Sequence, residues 1–298
     1  MTTLQTIILA LIQGLTEFLP VSSSAHLILP SQFISDWPDQ GIAFDIAVHV
    51  GSLLAVVIYF RKSLWLMTED SMKFAFRKGP FTRAAELLFY VMAATVPVGL
   101  VGLACKNLVE TYLRSPLVIA GSTIVFGLLL WAAQVYSDRF WKKNPLPEVS
   151  RQEKDNCTSA LSSEITGAAA SREINLFRAV LIGCSQAIAL IPGTSRSGIT
   201  MTAGYFLKLS PKAAAEFSFL MSIPVIILSA LIKTKDIIAN HENVDLWSIG
   251  LGTVISFVVA YLVIKLFLDF INRVGLLPYV IYRVILGIVL FWVFWPQS

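Results

Sequence analysis

Charged residues are scarce in this chain. Only 14 % of its 298 residues are Asp, Glu, Lys or Arg, whereas soluble globular domains carry roughly 25 %. Apolar residues make up 56 % of the chain, and its mean hydropathy is +0.71. One soluble core could not bury that much apolar surface. The composition also excludes a disordered chain and a nucleic-acid-binding module. We therefore predict a single integral membrane domain over residues 1–298.

Cysteine is also rare, with three residues at positions that are far apart: Cys105, Cys157 and Cys184. None of them belongs to a Cys-x-x-Cys pair or a Cys/His cluster, which excludes a disulfide framework and a zinc site. The N-terminus has no basic segment ahead of its apolar stretch. A cleavable signal peptide is therefore not expected.

Long apolar runs are what the chain does have. A membrane-spanning helix needs about 20 mostly apolar residues. Six stretches meet this length, at 42–60, 87–105, 117–136, 214–232, 247–268 and 279–295. The longest connection, 137–175, is rich in Ser, Lys, Arg, Asp and Glu, and we predict that it is a solvent-exposed linker.

Two further apolar stretches, 4–30 and 177–207, are each interrupted near the middle by proline and several Ser or Thr residues. Proline ends a helix, and the hydroxyl residues after it favour a new helix start. Each arm holds about 12 to 15 residues, which is too short to cross a bilayer at about 1.5 Å per residue. We predict two re-entrant helical hairpins whose tips reach the membrane interior.

The two halves of the chain resemble each other. An offset of 172 residues places Pro20 on Pro192, Ser22 on Thr194 and Ser23 on Ser195. One hairpin and three spans give each half three crossings, so the second half is inverted relative to the first. The fold class predicted is thus an all-α polytopic membrane protein with six transmembrane helices and two re-entrant hairpins in an inverted-topology repeat. The repeats cover 1–136 and 176–298.

The distribution of basic residues gives this layout a direction. Of the 23 Lys and Arg residues, 17 fall on the side that holds the 137–175 linker and four on the other side. Arg196 and Arg283 lie within the membrane segments. Because cytoplasmic loops are enriched in Lys and Arg, we predict a cytoplasmic linker and two non-cytoplasmic termini.

The first hairpin carries several reactive side chains near its turn. Gln13 and Glu17 are four residues apart and share a helix face. Ser22 or Ser23 can cap the second arm, and His26 follows on the same side. Ionisable groups inside a membrane are costly and usually functional. By contrast, Asp45 and His49 are predicted to form a local interfacial pair, and Arg283 to snorkel or to pair structurally.

The second hairpin has the composition of an anion site. Arg196 supplies a planar, permanently charged group that suits phosphate oxygens. Gly193 and Gly198 allow the backbone to approach a ligand closely, and the next arm begins with free N–H groups. If the two tips meet, they surround one point, and phosphate is the anion that the combination favours.

These residues resemble those of a known family. The segments QGLTEFLPVSSSAH at 13–26 and PGTSRSGIT at 192–200 are similar to the undecaprenyl-pyrophosphate phosphatases linked to bacitracin resistance. The segments EFSFLMSIP at 216–224 and YRVILG at 282–287 extend the resemblance over nearly the whole chain except the linker. Gln13 stands where some members have a glutamate, so we assign it no acid–base role.

The resemblance implies removal of the terminal phosphate of a C55 polyprenyl pyrophosphate at the outer face of the bacterial inner membrane. This reaction regenerates the lipid carrier for peptidoglycan synthesis. We hypothesise that Ser23 attacks the phosphorus, that Glu17 or His26 takes its proton, and that Arg196 holds the transferring group. The residues predicted to bind phosphate oxygens are Ser22, Thr194, Ser195, Ser197 and Thr200.

A divalent cation, Mg²⁺ or Ca²⁺, is expected to bridge Glu17 and the pyrophosphate, because these ions prefer oxygen ligands. In the rival mechanism, Glu17 and the metal activate water directly and Ser23 is only a ligand. The oligomeric state stays open, with a homodimer among the states considered.

The main alternative function is a transporter or flippase for an anionic lipid or small anion, since inverted repeats and broken helices are common in transporters. A membrane phosphatase with a histidine nucleophile is excluded. The chain has three histidines, His26, His49 and His241, and none follows the Ser-Arg-Ser segment at a suitable spacing.

Overall fold

The computed structural model describes residues 1–34, 37, 40–105, 113, 115–144, 167–240 and 245–295. Over these residues the chain forms helices and turns, with no β-strand. The α-helices are α1 Thr3–Thr16, α2 Ser23–Phe33, α3 Gly41–Tyr59, α4 Arg61–Ala75, α5 Arg83–Ala104, α6 Pro116–Lys143, α7 Ala168–Glu173, α8 Leu176–Ala187, α9 Arg196–Phe206, α10 Pro211–Asn240, α11 Leu246–Val274 and α12 Leu277–Phe294.

Six of these helices are long and apolar enough to cross a membrane: α3, α5, α6, α10, α11 and α12. They coincide with the six predicted spans, so the prediction of six transmembrane helices in an all-α membrane protein is confirmed. Several run beyond the apolar stretch that predicted them. Helix α6, for example, continues through the charged residues up to Lys143.

The two interrupted stretches form two pairs of short helices. Helices α1 and α2 contain 14 and 11 residues, and α8 and α9 contain 12 and 11. Each helix is too short to span a bilayer. This geometry agrees with the predicted hairpins, and their depth in a membrane stays a prediction.

The turn prolines Pro20 and Pro192 lie 172 positions apart, as the sequence offset has them, but the helices of the two hairpins do not keep that offset. Both the first arms and the second arms begin 173 positions apart. The second turn has one more residue between its proline and the cap of the next helix, and Gly193 lies there with φ +91°. A Cβ atom at Gly193 would lie 2.6 Å from the Ile119 carbonyl oxygen, so only glycine fits.

Each hairpin packs against a helix of the opposite half. Helix α1 lies on α11, and α8 lies on α5. Both contacts use a glycine: a Cβ atom at Gly14 would lie 2.9 Å from the Ser256 carbonyl oxygen, and one at Gly183 would lie 2.7 Å from the Ala94 Cα. The two halves therefore interlock through the hairpins.

Two helices lie outside the sequence prediction. Helix α4 follows the first span. About half of its 15 residues are polar, so it contains no apolar stretch long enough to be predicted as a span. Helix α7 lies in the segment predicted to be an exposed linker, yet its Ala170 is fully buried and donates its N–H to Glu216 at 3.1 Å. Both described ends of that segment are therefore ordered. Its middle, 145–166, lies outside the described residues, as does His241.

Candidate active site

The tips of the two hairpins meet through an ion pair. Arg196 Nη2 on α9 donates to Glu17 Oε1 at the end of α1, at 2.7 Å. Both side chains are largely buried, with 14 % and 6 % of their surface exposed. Beside them, Ser197 Oγ donates to the Leu19 carbonyl at 2.9 Å. The contact predicted from the two motifs is therefore present.

Glu17 is the centre of the polar network at this contact. Its Oε2 atom accepts from Ser23 Oγ at 2.6 Å and from Gln13 Nε2 at 2.9 Å. His49 Nε2 lies 3.8 Å from the same oxygen. The carboxylate thus joins the first hairpin, the second hairpin and the first spanning helix.

The backbone of both turns is strained at the residue that precedes the second arm. Ser22 and Ser195 have φ angles of 75° and 69°, a region that residues other than glycine rarely adopt. Ser195 Oγ accepts from the Gly198 N–H at 3.1 Å and thereby caps α9. Strain of this kind is common where a protein holds reactive groups.

Arg283 on α12 holds the two turns together. Its side chain is fully buried, which excludes snorkelling and agrees with the other predicted alternative, structural pairing. Nη1 donates to the Pro20 carbonyl at 3.2 Å, and Nη2 donates to the carbonyls of Gly193 and Thr194 at 2.8 and 2.9 Å. The guanidinium thus donates hydrogen bonds to backbone carbonyls that have no partner within the broken helices.

His26 lies beside the first turn, and its two ring nitrogens bond to residues other than Ser23 and Glu17. Its Nδ1 bonds to the Ser22 carbonyl at 2.7 Å and its Nε2 to the Tyr282 hydroxyl at 2.5 Å. Since a carbonyl oxygen can only accept, Nδ1 carries a proton. The two rings also stack, with centroids 5.6 Å apart.

A cavity of about 190 Å³ opens at the contact between the hairpins. Five of the nine predicted site residues line it: Glu17, Ser22, Ser23, Ser195 and Arg196. Its other walls include apolar side chains of α3, α5 and α10, among them Ile46, Val98, Val225 and Ile226. A polar, charged end and an apolar wall suit a ligand that carries both an anionic group and a hydrocarbon chain.

The other four predicted site residues lie around the tips and do not line the cavity. His26 bonds to the Ser22 carbonyl and Ser197 to the Leu19 carbonyl. Thr200 Oγ1 donates to the Arg196 carbonyl at 2.9 Å and bonds to Ser218 Oγ at 2.7 Å. The Thr194 hydroxyl is buried and has no partner among the described residues.

Five polar residues line the cavity although they were not among the predicted site residues: Ser24, His49, Gln186, Ser229 and Lys233. His49 does not pair with the Asp45 carboxylate; its Nδ1 bonds to the Asp45 carbonyl at 2.7 Å, which turns Nε2 toward Glu17. The sequence could have indicated His49 as a site residue, because it is an ionisable residue within an apolar span. The repeat could have indicated Gln186, because the equivalent position of the first hairpin, 13, is also glutamine.

Among the described residues, no group of three or more His, Cys, Asp or Glu side chains is placed to hold a metal ion. Glu17 is the carboxylate that lines the cavity, and both its oxygens already accept hydrogen bonds from the protein. These residues therefore supply no preformed metal site. The predicted Mg²⁺ or Ca²⁺ stays a prediction.

Six spans, two interlocked hairpins and a largely buried arginine in a half-apolar cavity define a membrane protein built to bind an amphiphilic anion. The comparison with protein families agrees with this class. The family model described as bacitracin resistance protein BacA matches residues 6–289. The chain therefore belongs to the BacA family.

Curated relatives extend the match over almost the full length. A protein of Alteromonas mediterranea is 47 % identical, covering 98 % of both chains. One of Colwellia psychrerythraea is 46 % identical, covering 98 % of this chain and 99 % of the relative. One of Teredinibacter turnerae is 48 % identical, covering 96 % and 97 %. All three are named undecaprenyl-diphosphatase.

Proposed function

We propose that this protein hydrolyses undecaprenyl pyrophosphate to undecaprenyl phosphate and inorganic phosphate. This reaction recycles the lipid carrier for peptidoglycan and other cell-wall polymers, and it would confer bacitracin resistance. Family membership and the names of the relatives support the proposal. The structural observation that carries it is the chain of contacts from Ser23 through Glu17 to Arg196 inside one cavity.

In the proposed first step, Ser23 Oγ attacks the terminal phosphorus. Its proton passes to Glu17 Oε2, which lies 2.6 Å away. The bond from phosphorus to the bridging oxygen breaks, and undecaprenyl phosphate leaves with that oxygen and the bonding electrons. An unassisted serine hydroxyl is a weak nucleophile, so an adjacent base is needed.

In the second step, water attacks the phosphorus of phosphoserine 23. Both protons of the water stay with the phosphate product. The bond from phosphorus to Ser23 Oγ breaks, and Glu17 returns its proton to that oxygen. Of the two candidate bases, Glu17 is favoured, because Ser23 donates to it directly while both ring nitrogens of His26 have other partners.

Arg196 is suited to hold the charge of the transferring group. Its Nη2 is occupied by Glu17, whereas Nη1 is buried and has no hydrogen-bond partner among the described residues. A charged donor aimed at the position of developing charge stabilises the transition state strongly in a dry site. His26, Ser197 and Thr200 are assigned a supporting role, since they hold the turns.

The experiment that tests the proposed function is the release of inorganic phosphate from undecaprenyl pyrophosphate by the purified protein in detergent. No gradient exists under these conditions, so a transporter or flippase would release none. A chelator arm tests the predicted divalent cation: loss of turnover with EDTA and recovery with Mg²⁺ or Ca²⁺ would support it. Unchanged turnover with EDTA would remove it.

We also propose the inner membrane as the location, with both termini and the mouth of the cavity on the non-cytoplasmic side. The distribution of Lys and Arg supports this orientation. His49 lies two turns from the start of α3, and Lys233 lies near the end of the α10 span, Pro211–Lys235. Both ends belong to the side that is poor in basic residues. Thiol labelling of cysteines placed at each terminus in intact cells tests the orientation, and the homodimer stays a prediction.

A further inference from the structure

Gln186, near the end of α8, is a buried amide without a partner. Its side chain is fully buried, it lines the cavity, and neither Oε1 nor Nε2 has a hydrogen-bond partner among the described residues. Burying an amide in this way is costly unless something else satisfies it. A residue of this kind on a cavity wall indicates contact with a ligand.

The equivalent residue of the first hairpin shows why Gln186 is free. Gln13 lies 173 positions earlier, is also fully buried, and donates from Nε2 to Glu17 at 2.9 Å. The position equivalent to Glu17 in the second hairpin is Leu190, an apolar residue that also lines the cavity. Gln186 therefore keeps the place of Gln13 but lacks its carboxylate partner.

Arg196, on the other arm of the same hairpin, lines the same cavity, and its Nη1 is likewise buried without a partner among the described residues. The second hairpin thus offers two unused donors, one charged and one neutral. The first hairpin offers Ser23 and Glu17. A phosphate group bound between them would take donors from one hairpin and meet the nucleophile of the other.

We propose that Gln186 is a substrate-binding residue: its Nε2 donates to a phosphate oxygen of the pyrophosphate beside Arg196, and its Oε1 accepts from water in the same cavity. The inference rests on the proposed function, since it takes the cavity as the active site. It adds a neutral donor that neither motif contains. The contact acts on affinity for the phosphate group, both in the substrate and in the released product.

The test compares purified wild type with Gln186→Ala and Gln186→Glu in detergent. Loss of a hydrogen bond to a charged group should raise KM for undecaprenyl pyrophosphate about tenfold or more. The Glu variant keeps the shape of the side chain but replaces the donor by a second carboxylate, so its KM should rise further. The inhibition constant for inorganic phosphate, the probe of the product complex, should rise with KM in both variants.

Gln134→Ala is the matched control. Gln134 is also a glutamine, but unlike Gln186 it has a hydrogen-bond partner within the protein. Its Oε1 accepts from the Leu276 N–H at 2.9 Å, away from the cavity. We expect Gln134→Ala to lower Tm without changing KM or the phosphate inhibition constant. A folded Gln186→Glu protein with both constants within twofold of wild type would overturn the inference, and so would a fall in Tm alone.

The failure of this inference is distinguishable from the failure of the proposed function. If Ser23→Ala is inactive while Gln186→Glu behaves as wild type, the site stands and the assignment of Gln186 falls. If folded Ser23→Ala and Arg196→Lys proteins both keep wild-type turnover, the proposed site itself is overturned.

Discussion

Arg196 Nη2 and Glu17 Oε1 lie 2.7 Å apart although 179 residues separate them in the chain. The ion pair joins the tips of two hairpins that belong to opposite halves. It leaves the second guanidinium nitrogen, Nη1, without a partner among the described residues, in a side chain that lines the cavity. One arginine can therefore order the site and bind an anion at the same time.

Arg196→Lys tests this double role. A lysine ammonium can pair with Glu17, but it has no second donor in a fixed plane for the phosphate. We expect turnover to fall about a hundredfold, as for the loss of one donor to a transition-state oxyanion, while Tm changes little. Phosphate release and Tm in detergent measure the two effects. Arg172→Lys, an exposed position on α7, is the control, and wild-type turnover in Arg196→Lys would contradict the role.

His26 variants separate a base from a positioning residue. We expect His26→Ala to lose turnover, because its Nδ1 holds the Ser22 carbonyl and with it the turn that carries Ser23. His26→Asn places an amide donor near the position of Nδ1, so it should recover about a tenth or more of the wild-type rate; an amide cannot act as a base. Equal loss of activity in the Ala and Asn variants, with both folded, would favour His26 as the base instead.

Arg283→Met should destabilise the protein. The variant leaves buried carbonyls of both turns without their donor, and each such loss costs about 1–3 kcal/mol. We expect a clear fall in Tm in detergent together with loss of turnover. Arg273→Met, at an exposed position near the end of α11, is the control. An unchanged Tm in Arg283→Met would show that the turns hold without the clamp.

Gly183→Ala tests the packing of α8 on α5. The added Cβ would lie 2.7 Å from the Ala94 Cα, so the helices must separate. At Gly250, on α11, a Cβ meets nothing within 4 Å, and alanine favours a helix over glycine. We expect Gly183→Ala to lower Tm by several degrees and to reduce turnover, and Gly250→Ala to match or exceed the wild-type Tm. Equal Tm values in the two variants would refute the close contact.

The sequence predicted most of the architecture, because span length and proline breaks are local properties. The six spans and the two pairs of short helices follow from them. The offset of 172 holds for the two turn prolines, whereas the arms begin 173 positions apart. The second hairpin has one residue fewer before its proline and one more in the turn after it, and no periodicity marks either change. Helix α4 was missed because a half-polar helix of 15 residues does not have the length of a span.

The site was predicted in part for a similar reason. Glu17, Ser23 and Arg196 lie in motifs at the tips, so their meeting follows once the tips meet. His49 and Gln186 reach the cavity from α3 and α8, and their positions depend on how those helices rotate and pack. Sequence alone does not give that rotation. For Arg283 the sequence predicted structural pairing as one of two alternatives but did not give the partners, because the backbone carbonyls that it binds carry no side-chain signal.

The central claim is that Ser23 receives the phosphoryl group in the cavity between the hairpins. The most direct measurement is rapid quenching of the purified protein with undecaprenyl pyrophosphate labelled with ³²P at the terminal phosphate, followed by mapping of the labelled peptide. We predict label on Ser23 in the wild type and none in Ser23→Ala. The control Ser31→Ala, whose native hydroxyl bonds to the Ile28 carbonyl on the same helix, should keep full label and turnover. Undiminished phosphate release by Ser23→Ala, with no labelled protein in the wild type, would contradict it.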